Sequence, residues 1–191
     1  MSHTFAPGTA TGLIGPNGSG KTTLLRLLSA VAYPTTGSVH LGSLDIHAHP
    51  YAYLGQVGQV YADAQLPMHL TALELLEWIL RERSGWDKGS QDLISDLLDR
   101  VQLDERRYNL IGTYSSGMIQ KTQLAAALVA RPHVLLLDEP FRGLDSEATV
   151  AALELLRDFE QRGGVMIIAS HSSHLLEQIC SDVMDLDLQS D

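Results

Sequence analysis

Residues 15–23 read GPNGSGKTT, with Leu13 and Ile14 just ahead and Leu24, Leu25, Leu27 and Leu28 just behind. Apolar residues run into three glycines, a lysine and two threonines, and leucines follow at helical spacing, so the stretch predicts a strand that turns into a helix. Gly15, Gly20, Lys21 and Thr22 satisfy the pattern G-x-x-x-x-G-K-[ST]. Glycines let the backbone wrap so that several N–H groups converge on phosphate oxygens, and the helix that follows turns its positive end toward the same anion. Lys21 is long enough to reach the β- and γ-phosphates of a nucleotide, and a hydroxyl at Thr22 suits a Mg²⁺ ion. A chance match in 191 residues is on the order of 1% from average glycine usage. The candidate phosphate loop is therefore Gly15, Pro16, Asn17, Gly18, Ser19, Gly20, Lys21, Thr22 and Thr23. A glycine-rich turn that merely links strand to helix is the weaker reading.

A second stretch complements it. VLLLDEP, residues 134–140, is a buried strand that ends in two acids. At the carboxyl end of a strand beside a phosphate loop, Asp138 can hold Mg²⁺ directly or through water. Glu139 can then orient and deprotonate an attacking water. Alone, an acidic pair after a strand is often only a helix cap; the phosphate loop upstream is what favours catalysis.

Composition narrows the class. The length suits one domain, 45% hydrophobic and 19% charged residues are normal for a folded globular chain, and the net charge is -10. No basic run accompanies that acidity, which argues against nucleic acid or anionic lipid as a partner held by the chain's own field. Cys180 is the only cysteine, so no internal disulfide or cysteine metal cluster is expected, and a reducing cytosol is the simplest home. Apolar runs such as 134–137 and 165–169 fall far short of the roughly 20 residues that span a bilayer. The start, MSHTFAPGTATG, does not read as a signal peptide. A membrane role would have to come through a partner.

Short apolar runs alternating with helical patterns predict an α/β fold with a largely parallel sheet. Strands are expected at 10–14, 134–138, 165–170 and 183–188, with weaker candidates at 38–41 and 53–57. A helix should follow Lys21 and end near Pro34, and another should cover 147–161 with Leu153, Leu156 and Phe159 on its inner face. From Leu70 to Val101 the pattern is helical throughout. Thr71 with Glu74 forms a capping box, and Leu93, Leu97, Leu98 and Val101 make the apolar stripe of the next helix. Residues 85–89 form the loop between the two. An all-helical insert between strands of a parallel sheet predicts a subdomain beside the core.

Ahead of the acidic strand stands YSSGMIQKTQLAAALVARP, where Ser115, Ser116 and Gly117 open a helix of strong formers. On its own this is a serine N-cap. The order of phosphate loop, glutamine, Ser-x-Gly before a helix, acidic strand and histidine resembles the ATP-binding subunit of an ABC transporter over nearly the whole chain. That resemblance implies a P-loop NTPase of the ABC type. It makes Ser115 and Gly117 the signature that contacts the γ-phosphate of ATP bound to the other subunit. Gln59 matches the glutamine that reports Mg²⁺ and γ-phosphate to the helical part. Gly143, Leu144 and Asp145 match a loop that touches the opposite subunit, and His171 matches the histidine that bonds the γ-phosphate.

Two departures from the family pattern stand out. The usual Leu-Ser-Gly-Gly-Gln is here Tyr114-Ser115-Ser116-Gly117-Met118; if position 116 needed a positive φ, serine would cost about 1 kcal/mol. Some exporter-type members share this form, so it reads as a subtype mark. The family also normally begins with antiparallel strands bearing an aromatic that stacks on adenine, and these are largely missing ahead of the phosphate-loop strand. Phe5 is available there, although a strand phenylalanine usually belongs to the core. His47 and His49 alternate like metal ligands without a third partner in sight. His174, three residues after His171, reads as a cap or a solvent-facing side chain.

The resemblance thus implies one ABC ATPase domain, with residues 1–58 and 118–191 as the P-loop core and 59–117 as a helical subdomain ending in the signature. It implies a homodimer or heterodimer of ATPase subunits, ATP and Mg²⁺ as ligands, and separate transmembrane permease subunits. No nucleic acid is expected. Placement would be cytoplasmic, peripheral on the inner face of the membrane, and the signature subtype leans to export. A permease helix would seat near residues 59–67 and 71–83, with Tyr61 and Trp78 as anchors unless both rings fill the subdomain's own core. A soluble non-transport ABC ATPase and a truncated nucleotide switch are the alternatives.

Overall fold

A computed structural model describes residues 2–63, 65–83 and 85–187. β1 (Thr9–Ile14) runs into the phosphate loop and α1 (Lys21–Leu28) leaves it. Two short strands, β2 (His40–Leu41) and β3 (Leu44–Asp45), pair antiparallel as a separate ribbon. They precede α2 (Pro50–Leu54) and β4 (Val57–Val60). Then come α3 (Ala72–Glu82), α4 (Ser90–Arg100) and α5 (Ser116–Leu128). The chain closes with β5 (Val134–Asp138), α6 (Ser146–Gln161), β6 (Val165–Ala169), α7 (Ser173–Ile179) and β7 (Asp182–Asp185). The five long strands form one parallel sheet in the order β4-β5-β6-β1-β7.

Both faces of that sheet are covered, as a parallel sheet requires. Leu135, Leu137, Met166 and Ile168 point to α5, α6 and α7 with Leu124, Leu156 and Phe159. Their neighbours Val134, Leu136, Ile167 and Ala169 point the other way, to Leu25 and Leu28 of α1 and to Tyr53. A third cluster holds α3 and α4 together on α5 through Leu76, Leu80, Ile94, Leu98 and Val129. The capping box at the head of α3 is formed as read: Glu74 N–H donates to Thr71 Oγ1 at 3.1 Å, and Thr71 N–H donates to Glu74 Oε2 at 2.8 Å.

Three local readings need correction. Residues 53–57 are not a strand: Pro50 starts a short helix, the Tyr53 hydroxyl donates to the Leu28 carbonyl at 2.5 Å, and the strand begins only at Val57. The first helix stops at Leu28, well before Pro34, because Ala30 takes φ 56 and the Val31 and Ala32 N–H groups both fold back on the Arg26 carbonyl. Of residues 38–41 only His40–Leu41 is strand. β4 runs on to Val60. Of the last strand, Leu188 lies outside the described residues, as does Ala64 of the expected docking segment.

α5 crosses β4 at very close range. A Cβ at Gly58 would sit 2.1 Å from the Ala127 carbonyl oxygen and 2.6 Å from Leu135 Cδ2. Neither backbone can withdraw without unpacking the clusters on both sides, so Gly58→Ala should destabilise the fold by about 3 kcal/mol. For a chain of this size that lowers the melting temperature by about 6–12 °C, and a thermal unfolding curve like the parent's would show that the helix has slack.

Candidate nucleotide-binding site

The parallel register decides what meets. Leu13 of β1 pairs with Ala169 of β6, and Asp138 of β5 pairs with the same Ala169. The loops that leave these three strands therefore start at one level, at the carboxyl edge of the sheet, where open α/β sheets hold their ligands. They line one cavity of about 210 Å³ with Asn17, Gly18, Gly20, Lys21, Thr22, Thr23, Asp138, Glu139 and His171.

The loop after β1 has the form an anion needs. Gly18 and Gly20 sit at φ 86 and 97, and a Cβ on either would meet nothing within 4 Å, so the concave side is open. Gly15 is required for a different reason: a Cβ there would come within 2.6 Å of Ser19 Oγ, which turns inward. α1 has no acidic residue in its first turn and no side-chain cap, so its leading N–H groups and positive end are left for a ligand. Lys21 Nζ donates to the Gly15 carbonyl at 2.6 Å and the Pro16 carbonyl at 3.0 Å, which holds the ammonium over the loop with donor capacity to spare.

Across the cavity Thr22 Oγ1 donates to Asp138 Oδ2 at 3.3 Å. A hydroxyl and a carboxylate side by side form a hard-oxygen donor set that fits a divalent cation such as Mg²⁺. Burial pushes the Asp138 carboxyl above its ordinary range; the Thr22 hydroxyl opposes that rise and the neighbouring Glu139 charge adds to it. Glu139 has φ 50, a left-handed backbone rare for a residue with a side chain. Its carboxylate accepts from His171 N–H at 2.7 Å and from Ser170 Oγ at 3.0 Å. The His171 ring stays two-thirds exposed, with Nε2 3.9 Å from Glu139 Oε1. Ser170 escaped the sequence reading, since nothing local to it announces a partner 31 positions away.

Other expected residues lie apart. Gln59 is on β4, half-buried, and does not line the cavity. Ser115 caps α5 by accepting Met118 N–H at 3.3 Å, and Gly117 packs so tightly on the Gly143 carbonyl that a Cβ would sit 2.7 Å away. Neither signature residue reaches this chain's own cavity. Ser116 is helical and is not among the described residues with positive φ, so serine carries no strain there. Asp145 caps α6 through Ala148 N–H at 2.8 Å. Phe5 packs against the α1 side of the core. His47 Nε2 meets the Ala32 carbonyl at 2.9 Å and its ring packs on Tyr33, closing the turn after α1. His174 pairs with Gln178 one turn on.

A family described as ABC transporter matches residues 1–142, the phosphate loop, signature and acidic strand included. The chain belongs to the ABC transporter family. It is 33% identical over 189 residues to an uncharacterized ABC transporter ATP-binding protein of Bacillus subtilis (strain 168), which covers 97% of this chain and 84% of that one. The Nod factor export ATP-binding protein I of Burkholderia pseudomallei (strain 1710b) is 33% identical over 94% of this chain and 59% of its own length. The glutamine transport ATP-binding protein of Escherichia coli (strain K12) is 31% identical over 96% and 78%. Among solved structures, the ATP-binding subunit of an ABC transporter superposes with a TM-score of 0.90 at 24% identity, over 96% of this chain and 76% of that one. A bacterial ABC transporter cassette solved as a dimer superposes at 0.83, also at 24% identity, over 96% and 83%. These two likenesses establish the fold: an ABC-type ATPase domain with a parallel-sheet core. The family places the chain among the ATP-binding, ATP-hydrolysing components of transporters.

The half-buried Asp138 makes the site costly to the unliganded fold. A carboxyl raised in the folded state weakens folding as pH rises through that raised value, and weakens it not at all below the unfolded value. Asp138→Asn should therefore raise the melting temperature of the nucleotide-free, chelator-treated protein at neutral pH. The gain should shrink as the buffer approaches about pH 4, the ordinary carboxylate range. A gain that is equal at both pH values would mean that ionisation is not its cause.

Proposed function

We propose that the chain binds ATP with Mg²⁺ in this cavity and hydrolyses it as one half of a head-to-tail pair that drives separate permease subunits. The observation that carries the reading is the meeting of Lys21, Thr22, Asp138, Glu139 and His171 in one cavity that the signature residues do not reach. Gly15, Pro16, Asn17, Gly18, Ser19, Gly20 and Thr23 shape the phosphate cradle, and Lys21 balances charge on the β- and γ-phosphates. Thr22 and Asp138, with Gln59, would hold Mg²⁺, which when bound supplies positive charge against the phosphate oxygens. Glu139 accepts the proton of the attacking water, and the exposed His171 ring bonds the γ-phosphate. Ser115 and Gly117 serve the ATP of the other subunit, whether that subunit is a second copy or a different chain. Glu139→Gln should keep ATP affinity and lower turnover by about a hundredfold, since a general base acts only in the transition state. Lys21→Ala should weaken binding itself. Parent-rate turnover by Glu139→Gln would remove Glu139 from the role of base.

The same reading divides the chain into a P-loop core, 1–58 and 118–191, and a helical part, 59–117. It sets the chain on the inner, cytoplasmic face of the membrane through its permease. Among the described residues no helix is long and apolar enough to cross a bilayer. The helical part offers exposed apolar groups: Trp78 is 56% exposed, and Met68 and Leu110 are each 49% exposed. Leu110 bridges to Thr71, and Trp78 lies two helical turns further along α3 on the same side. Tyr61 packs against the core instead and is the poorer anchor. We infer export from the signature subtype; the relatives include both a Nod factor export protein and a glutamine transport protein.

Trp78→Ala should leave folding and basal hydrolysis intact while weakening membrane recruitment about thirtyfold, the scale of losing one aromatic anchor. Glu77→Lys should act in the same direction, whereas Glu74 is unsuitable because it closes the capping box. The measurement is fractionation of cells that express the chain with its neighbouring genes. A chain that stays out of the membrane fraction with or without those neighbours would favour a non-transport ATPase.

A further inference from the structure

At the carboxyl end of β6 three groups close on one residue across the sheet. The Ala169 carbonyl accepts Glu139 N–H at 2.8 Å, His171 N–H donates to Glu139 Oε1 at 2.7 Å, and Ser170 Oγ donates to Oε2 at 3.0 Å. Ser170 is 6% exposed, and its hydroxyl is itself oriented, because Ser172 N–H donates to Oγ at 3.2 Å. With that lone pair occupied, the hydroxyl proton goes to Glu139. A serine that only started α7 would accept Ser172 N–H and give its proton to water.

The arrangement matters because the last torsion of a glutamate is broad. One donor on Oε1 leaves the carboxylate free to swing about that bond; a second donor on Oε2 defines its plane. Each oxygen keeps lone-pair capacity to accept a proton from water. The main chain of Glu139 is fixed by the last rung of the β5–β6 ladder, and its left-handed φ turns the carboxylate to the donors of residues 170 and 171. Two of the three contacts are main-chain. Only the Ser170 hydroxyl can be removed by substitution.

We propose that Ser170 is a positioning residue for ATP hydrolysis, its hydroxyl setting the plane of the Glu139 carboxylate toward the phosphate loop. This rests on the reading of Glu139 as the general base. Steady-state hydrolysis by Ser170→Ala, Ser170→Cys and Ser170→Thr, with melting temperatures, tests it. Ser170→Ala should lower kcat about tenfold and leave KM for ATP within about twofold, because misplacing a base affects the transition state alone. Ser170→Cys, close to serine in size but a weak donor, should follow alanine. Ser170→Thr keeps the hydroxyl and should recover kcat to within about threefold of the parent. If the alanine chain does not fold, the cysteine and threonine pair carries the same comparison. A parent-like kcat in Ser170→Ala, or threonine as slow as alanine, overturns the proposal. Glu139→Gln assayed in parallel separates the two ideas. If it is inactive while Ser170→Ala is normal, only the positioning role fails; if it is as fast as the parent, the base assignment fails and takes the positioning role with it.

Discussion

Leu13, Ala169 and Asp138 stand level across three parallel strands, and the site depends on that register. A slip of one residue in β5 would exchange Leu135 and Leu137 with Leu136 and turn Asp138 to the opposite face. The strands resist it because each face packs against different helices, so a slip would misplace every one of these fully buried leucines. Burying each is worth about 1.5–3 kcal/mol. Position at the site is thus set by apolar packing one layer below it.

That reserve of packing lets the carboxyl edge hold groups the fold would otherwise reject. Asp138 is half withdrawn from water. Glu139 is left-handed, and the loop after β1 has glycines at positive φ that contribute no side chain to the core. Each is unfavourable for a folded chain without ligand and useful for one that receives a charged phosphate. Such concentration of strain and burial in one place is the physical mark of a functional edge.

The signature end of α5 is bound to the same edge from outside. Gln120 Nε2 donates to the Pro140 carbonyl at 3.0 Å, and Gly117 packs on Gly143. The head of α5 and the acidic loop after β5 are thereby joined within one chain. α3 and α4 share their cluster with Ala125 of α5 and Leu155 of α6, and Arg100 of α4 pairs with Asp158 of α6 at 2.5 Å.

The elements legible in the sequence were those whose causes are local. GPNGSGKTT carries its own backbone requirements, VLLLD its own burial, and Thr71 with Glu74 its own cap, so strand, loop, helix and cap stand where the residues put them. Where a distant group decided the outcome, local pattern misled. Tyr53 alternates as a strand residue would, yet its hydroxyl is held by Leu28 and it is helical. The first helix stops at a left-handed alanine and not at the proline or glycine that usually announces a stop. Ser116 stands where the family pattern has glycine, yet its backbone is helical and carries no strain. The sequence by itself determined the fold class, the glycine-rich turn after β1 and the acidic pair that ends β5, because these are encoded in contiguous residue types. Tertiary structure alone decided that Glu139 is gripped by Ser170 and His171 and that the head of α5 packs on the loop after β5 through Gly117 and Gly143. Those facts depend on strand register and helix packing between segments far apart in the chain, which no local spacing records.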